Sequence, residues 1–257
     1  MILRFLLTGL ILAPLILAAP AAGQDAAELR LVGTWAELQV YPEITTIPFL
    51  NATVTRTSVV LLRVEITQTG SSLLLTQTYC STDIDSGTFL VSTVIPDAFL
   101  VSLGEARRPA SLDASGMTIR FDQPWYTEVR GCRLADPVND PLPTSADDPR
   151  VFDQDGDGNP GLTVRVSILG IAAGEVYVVQ RVRYRLSGMV VTPDRIEGLI
   201  EWRNEQVTLD ATSSFLEANT NSHPDPIPEH SYFALQRIQP DTLCAEIEEE
   251  RRALFGR

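Results

Sequence analysis

The feature that most constrains the fold is a series of β-forming runs along the chain, each followed by a short turn-forming segment. The runs are rich in Val, Ile, Leu, Thr and aromatic residues, and Gly, Pro, Asp or Ser separate them. Branched and aromatic side chains favour strands because they pack well on a pleated sheet. Nine strands are predicted: Leu31–Tyr41, Thr53–Gln68, Leu73–Cys80, Thr88–Ile95, Met117–Asp122, Leu162–Gly170, Glu175–Val191, Arg195–Leu209 and Ser231–Ile238.

Two consecutive runs predict a hairpin with a defined register. A three-residue turn at Thr192–Asp194 places Arg185 opposite Glu201, and with the same register Arg181 lies opposite Glu205. Opposite charges facing each other across an antiparallel pair favour that register. We interpret the arginine face, Arg181, Arg183 and Arg185, as a solvated outer face of the sheet that these glutamates neutralise; an anion-binding face inside a barrel is the alternative.

About nine strands and few helices favour a single all-β domain over residues 24–257, folded as an antiparallel β-barrel or a sandwich. Two segments depart from the strand pattern. Residues 104–161 hold short elements among Pro, Asp and Ala, which we interpret as a long loop excursion. Residues 241–255 predict a short C-terminal helix, on which Leu243 and Ile247 share an apolar face.

The N-terminus has the layout of a secretory signal peptide. Arg4 precedes an apolar run at Phe5–Leu17, and small residues follow up to Gly23. We interpret residues 1–23 as the signal peptide and expect an exported protein, periplasmic or extracellular, with no integral membrane segment after processing. A retained anchor helix is the alternative, but the apolar run is short for one. Arginine without lysine and abundant alanine indicate a GC-rich bacterial genome, and we expect a Gram-negative source.

Charge and cysteine content narrow the function and the covalent frame. The 33 acidic residues exceed the 20 basic ones, which argues against a nucleic-acid partner, and all the basic residues are arginine. Without lysine, Schiff-base chemistry and a phosphate-loop lysine are excluded. Cys80, Cys132 and Cys244 permit one disulfide in three pairings. We favour Cys80–Cys244, which ties the C-terminal helix to the body; three free thiols are the alternative.

The strongest motif is DQDGDGNPG at residues 153–161. Acidic residues at positions 1, 3 and 5, glycine at 6 and a backbone carbonyl at 7 match the first half of a calcium-binding EF-hand loop. Val164 stands where the bidentate glutamate would be, so the loop resembles instead the aspartate-rich calcium loops of thrombospondin type 3 repeats. An acidic turn without an ion is the alternative. The expected calcium ligands are Asp153, Asp155, Asp157, Asn159 and, from just upstream, Asp148.

A second resemblance involves the two ends of the predicted sheet. Gly33-Thr34-Trp35 lies on the first strand, and Arg237 lies on the last one, before the helix. This pattern resembles that of lipocalins, in which a Gly-x-Trp packs under an arginine of the last strand and closes a β-barrel. The resemblance implies a lipocalin-like barrel, with Trp35 and Arg237 as structural partners through a cation–π contact.

The common enzyme motifs, such as Gly-x-Ser-x-Gly and His-Glu-x-x-His, are absent. We therefore expect a non-enzymatic, exported protein in which calcium acts as a structural clamp and the partner is a small apolar ligand or an envelope protein. An extracellular hydrolase with a carboxylate pair and an adhesion module are the alternatives. A closed barrel with a cavity favours a small-molecule binder, a solid sandwich favours an interaction module, and a cleft with two carboxylates favours a hydrolase.

Overall fold

The computed structural model describes residues 29–47, 52–169, 171–217 and 221–256, so the predicted signal peptide lies outside the described residues. The protein is all-β, and among these residues no helix is both long and apolar enough to span a membrane. The strands are β1 (Gly33–Ile47), β2 (Ala52–Thr69), β3 (Ser72–Asp85), β4 (Val91–Val94), β5 (Glu105–Asp113), β6 (Arg120–Arg130), β7 (Leu162–Ile168), β8 (Ala172–Thr192), β9 (Arg195–Ala211), β10 (Asn221–Pro224) and β11 (Tyr232–Arg237). The helices are α1 (Asp97–Ser102), α2 (Cys244–Glu249) and α3 (Arg251–Phe255).

Eight strands form a closed antiparallel ring in the order β8-β6-β5-β3-β2-β1-β11-β9, and β9 pairs back with β8. The other strands extend one end of this ring. There β7 pairs with the first part of β8, β4 pairs with β7, and β10 pairs with the last part of β1. Of the two predicted architectures, this pairing fits the barrel, because a sandwich would leave the two sheets unjoined along an edge.

The predicted hairpin register is confirmed in the pairing of β8 with β9. Arg185 lies opposite Glu201, and Arg181 lies opposite Glu205. Both arginines form salt bridges with these glutamates. The turn is shorter than predicted, since only Pro193-Asp194 separate the last paired residues and a bulge near the end of β8 takes up the remaining residue.

The prediction of a loop excursion over residues 104–161 is wrong for the first part of this range, because two strands of the ring lie there. Strands β5 and β6 lie within it, and the irregular part is residues 131–161. Proline conceals all of β5 and most of β6 in the sequence, where only Met117–Asp122 was predicted as a strand. Pro109 stands inside β5, and Pro124 stands inside β6 at an irregularity of the ladder. Proline weakens a strand prediction because it cannot donate to the ladder.

The irregular segment packs on the outer face of β8 and β9. Its Cys132 and Leu142 form a small core with Val179. Arg181 donates a hydrogen bond of 2.6 Å from Nη1 to the carbonyl of Asp140 and is only 6% exposed. The interpretation of the arginine face as solvated is therefore wrong at Arg181, because residues 131–161 cover it.

The C-terminal segment folds as two short helices instead of one, with the break at Glu250. Ile247 and Phe255 pack on the outer face of the strands that carry Leu38 and Ala234. Leu243 was expected on the same buried face but is 66% exposed, because it precedes the first helical turn.

Two contacts join the ends of the chain to the barrel. The Cys80–Cys244 disulfide, the favoured pairing, links β3 to the start of α2, while Cys132 is free and buried. At the first strand, the guanidinium carbon of Arg237 lies 4.4 Å from the centre of the buried Trp35 ring. Arg237 also donates hydrogen bonds to the carbonyls of Val32 and Arg30, so it holds the residues before β1 against β11.

Candidate functional site

The aspartate-rich loop, residues 153–161, connects the irregular segment to β7. Its base is closed by two backbone hydrogen bonds, from Gln154 N to Gly161 O (3.0 Å) and from Gly161 N to Phe152 O (3.1 Å). Gly161 has a φ of 84° and lies so close to β8 that a Cβ there would be 2.4 Å from the carbonyl oxygen of Val178. Only glycine fits at this position, which fixes the loop against the barrel wall.

The three predicted aspartates converge. One carboxylate oxygen of each of Asp153, Asp155 and Asp157 lies within 4.8 Å of the others. Asp153 accepts backbone hydrogen bonds from Gly156 (2.7 Å) and Gly158 (2.9 Å). These bonds bend the loop so that the carboxylates of positions 1, 3 and 5 point to the same side, as the motif predicts.

Asp155 is the least satisfied member of the group. Its Oδ2 accepts a hydrogen bond of 2.9 Å from the backbone of Thr163, but its Oδ1 is buried and has no partner among the described residues. Burial raises the pKa of Asp155, and the charges of Asp157 and Asp153 raise it further. A buried carboxylate oxygen without a donor is costly. A hard cation such as calcium would relieve that cost, because it takes oxygen ligands at flexible angles.

The other two predicted ligands are placed differently. Both carboxylate oxygens of Asp148 accept hydrogen bonds from Arg150, at 3.0 Å from Nε and 2.7 Å from Nη2. These hydrogen bonds lower the pKa of Asp148 to about 2. The backbone of Asn159 donates to Asp157 at 2.9 Å. The structure thus groups three aspartates, while the ligand roles of Asp148 and Asn159 stay predictions.

A cavity of about 230 Å³ lies inside the barrel, towards the end that β4, β7 and β10 extend. Val164, Ile168 and Val178 contribute an apolar wall to it, and Trp202 lines it as well. Phe215 also lines the cavity and is 67% exposed, so the cavity reaches the surface there.

A buried polar layer lies between this cavity and the apolar core of the barrel. The carboxylate of Glu128 accepts hydrogen bonds from two arginines, at 2.7 Å from Arg108 Nη2 and 2.7 Å from Arg130 Nε. Arg108 also donates to the hydroxyl of Tyr184 (2.8 Å), and Arg130 donates to that of Tyr79 (3.0 Å). Burial opposes the charge of Arg130, but the Glu128 carboxylate outweighs it and raises the pKa of Arg130. Both guanidiniums therefore stay charged.

Glu37 belongs to the same layer, but neither of its carboxylate oxygens bonds to an arginine among the described residues. It is fully buried and accepts one hydrogen bond of 2.7 Å from each of the amides of Gln39 and Gln77. Burial raises the pKa of Glu37 to about 7, although the two amides and the charge of Arg108 oppose the effect. At neutral pH Glu37 is therefore partly protonated and does not fully offset the arginines.

The sequence interpretation missed this polar layer. Its signal was the alternation in β1, where Glu37 and Gln39 share a face with the buried Trp35. Once Trp35 is assigned to the barrel interior, the residues two and four positions later must point inward too. The cavity lining contains one carboxylate among the described residues, Glu43, and it forms a salt bridge with Arg56.

Comparison with known proteins gives no relative on which to base a function. No family model matches the chain. No curated protein matches it, and no solved structure does. The resemblances to lipocalins and to thrombospondin type 3 calcium loops therefore rest on the sequence motifs and on the residue contacts described above.

Proposed function

We propose that this chain is an exported, calcium-binding protein that holds a small molecule inside its barrel, with calcium as a structural clamp. The observation that carries the calcium part is the unpartnered, buried Oδ1 of Asp155, placed beside the carboxylates of Asp153 and Asp157. Export is supported by the Cys80–Cys244 disulfide, since such bonds persist in oxidising compartments.

The position of the loop supports a clamp. Gln154 Oε1 accepts a hydrogen bond of 2.7 Å from the backbone of Gly131, where the irregular segment leaves β6. The loop leads directly into β7, so it joins both ends of residues 131–161. A cation held by the three aspartates would fasten this segment over the outer face of β8 and β9.

A calcium titration followed by thermal melting tests the clamp. The pattern without a bidentate glutamate is typical of weak extracellular sites, with a Kd on the order of 10⁻⁴ M. Calcium at a hundredfold excess over Kd then stabilises the fold by about 2.7 kcal/mol, which raises the melting temperature by several degrees. Magnesium should give a smaller rise, because it demands a stricter geometry.

Asp155→Asn should abolish the calcium-dependent rise, because it removes the central charge of the group. Asp241→Asn, at an exposed aspartate outside the loop, is the matched control and should respond like wild type. A wild-type protein that melts at the same temperature in millimolar calcium and in chelator would contradict the clamp.

The binding role is supported by the cavity. A closed barrel with an interior cavity is the arrangement expected of a small-molecule binder, and the one lining carboxylate among the described residues, Glu43, is engaged by Arg56. This favours binding over a hydrolase, which needs two carboxylates across a scissile bond. Calorimetric titration with octanoate and octanamide tests it: wild type should bind at least one of them.

Val166→Phe should abolish that binding, because Val166 lines the cavity and the larger ring fills it. Val94→Phe is the matched control: Val94 lies on the neighbouring strand β4 and is exposed, so the variant should bind like wild type. If neither compound binds to the wild-type protein, the binding role is wrong.

A further inference from the structure

The charges around the cavity are not balanced by the protein. Arg108 and Arg130 share the single carboxylate of Glu128, so these three side chains carry one positive charge in excess. Glu37 lies in the same layer, but its two oxygens are occupied by Gln39 and Gln77 and not by an arginine. Glu43, on the cavity lining, is itself neutralised by Arg56. The excess positive charge therefore stays in a region of low solvent access.

Of the two arginines, only Arg130 is placed to use that charge on a ligand. Arg108 is 1% exposed, stacks on the Tyr126 ring with 3.5 Å between guanidinium carbon and ring centre, and uses all three of its nitrogens in hydrogen bonds. Arg130 lines the cavity, and its Nε and Nη2 are used by Glu128 and Tyr79. Its Nη1 has no acceptor in the described part of the chain.

Three further side chains leave polar atoms unsatisfied in the same cavity. The hydroxyl oxygens of Thr45 and Ser86 and the Oδ1 of Asn204 are buried and have no hydrogen-bond partner among the described residues, and all three side chains line the cavity. Native structures rarely leave buried polar atoms without a partner. The cavity is therefore built to contain an occupant with polar groups, whether a ligand alone or a ligand with water.

We propose that the cavity binds a small amphipathic carboxylate, whose charged head is held by Nη1 of Arg130 and whose apolar part lies along the valine and isoleucine wall. This inference rests on the proposed binding role and names the class of ligand. A guanidinium is suited to this task because it donates directional, charge-assisted hydrogen bonds to carboxylates. The volume of about 230 Å³ is below the usual range for drug-sized ligands, so the occupant is small.

The distinguishing property is selectivity for the charged head group. Octanamide has the shape of octanoate but no charge, so it leaves the excess charge of the arginine pair uncompensated. A hydrogen bond to a charged group is stronger than a neutral one by enough to give about a tenfold difference in affinity. Wild-type protein should therefore bind octanoate about tenfold more tightly than octanamide in calorimetric titrations at pH 7.

Arg130→Gln should remove this preference, and octanamide should then bind at least as tightly as octanoate. Arg203→Gln is the matched control: it removes an exposed arginine of β9 that lies outside the cavity lining, so the preference should persist. Equal affinities of the wild-type protein for the two compounds overturn the ligand class while leaving the binding role intact. Failure of both compounds to bind overturns the binding role itself.

A second measurement does not depend on the folding of any variant. Octanoate labelled with ¹³C at its carboxyl carbon can be titrated by NMR while bound to wild-type protein. Next to a positive guanidinium the bound carboxyl should stay ionised at pH 7 and show the ¹³C shift of a carboxylate, although burial alone would raise its pKa. A bound carboxyl that is protonated at pH 7 would place the head group away from Arg130 and overturn the proposal.

Discussion

Replacing Glu37 with glutamine should make the protein more stable at neutral and alkaline pH. The side chain is fully buried, and its pKa is raised from 4.5 to about 7 because burial disfavours the carboxylate. Between these two values the folded chain keeps a proton that the unfolded chain releases. The folded state binds more protons there, so the free energy of unfolding falls as pH rises from about 4.5 to about 7 and is level above that.

The magnitude follows from the two pKa values. At 1.36 kcal/mol per pH unit, the difference between 4.5 and about 7 corresponds to a loss of about 3 kcal/mol across this window. Gln77 can accept a hydrogen bond from an uncharged amide at position 37, because its Oε1 is buried and has no partner among the described residues. When the Gln77 amide rotates, that oxygen can accept a hydrogen bond from the NH₂ of Gln at position 37.

Urea denaturation at a series of pH values, followed by tryptophan fluorescence, measures this effect. Glu37→Gln should unfold with the same free energy as wild type near pH 4.5 and with up to about 3 kcal/mol more near pH 8. Glu229→Gln, at an exposed glutamate, is the control and should follow the wild-type pH dependence. Parallel curves for Glu37→Gln and wild type across this range would refute the assignment of a raised pKa to Glu37.

Three further predictions concern other parts of the molecule. Arg237→Ala should destabilise the fold by about 1–2 kcal/mol in the same denaturation assay, through loss of the contact with Trp35 and of the stem packing; equal stability would show the contact to be idle. Gly161→Ala should lower the melting temperature, because its Cβ would clash with the β8 backbone, whereas Gly158→Ala, with open space around it, is the control with the smaller loss. N-terminal sequencing of the exported protein should begin near Gln24, and an intact Met1 would indicate the retained anchor instead.

Features that depend on local sequence pattern could be predicted, above all in strands with one face exposed to water. The register of β8 and β9 could be predicted because Arg185 and Glu201 alternate with apolar residues and face each other across a short turn. The loop at residues 153–161 could be predicted for a similar reason, since its ligand spacing is contained in nine consecutive residues.

The buried polar layer could not be predicted, because the sequence does not show which strands have an outer face covered by helices or loops. In β1, Leu38 lies on the outer face beneath α2 and α3, while Glu37 and Gln39 point into the barrel. The polar residues of this strand therefore appear solvent-facing from pattern alone, although both faces of the strand are buried here. The pairing of Arg108 with Glu128, 20 residues away, joins the neighbouring strands β5 and β6, and it leaves no local signal because prolines obscure both strands in the sequence.

The closure of the ring has a consequence for the order in which the chain can fold. β1 begins at Gly33, and one of its two ring neighbours is β11, which ends at Arg237. The first strand therefore cannot complete its pairing until the last strand is available. Contacts this distant along the chain slow folding. Until β11 arrives, β1 and β9 present unpaired edges to any other chain nearby. A product that ends before Tyr232 should thus be aggregation-prone, and a complete chain should stay soluble only if synthesis outpaces association between such edges.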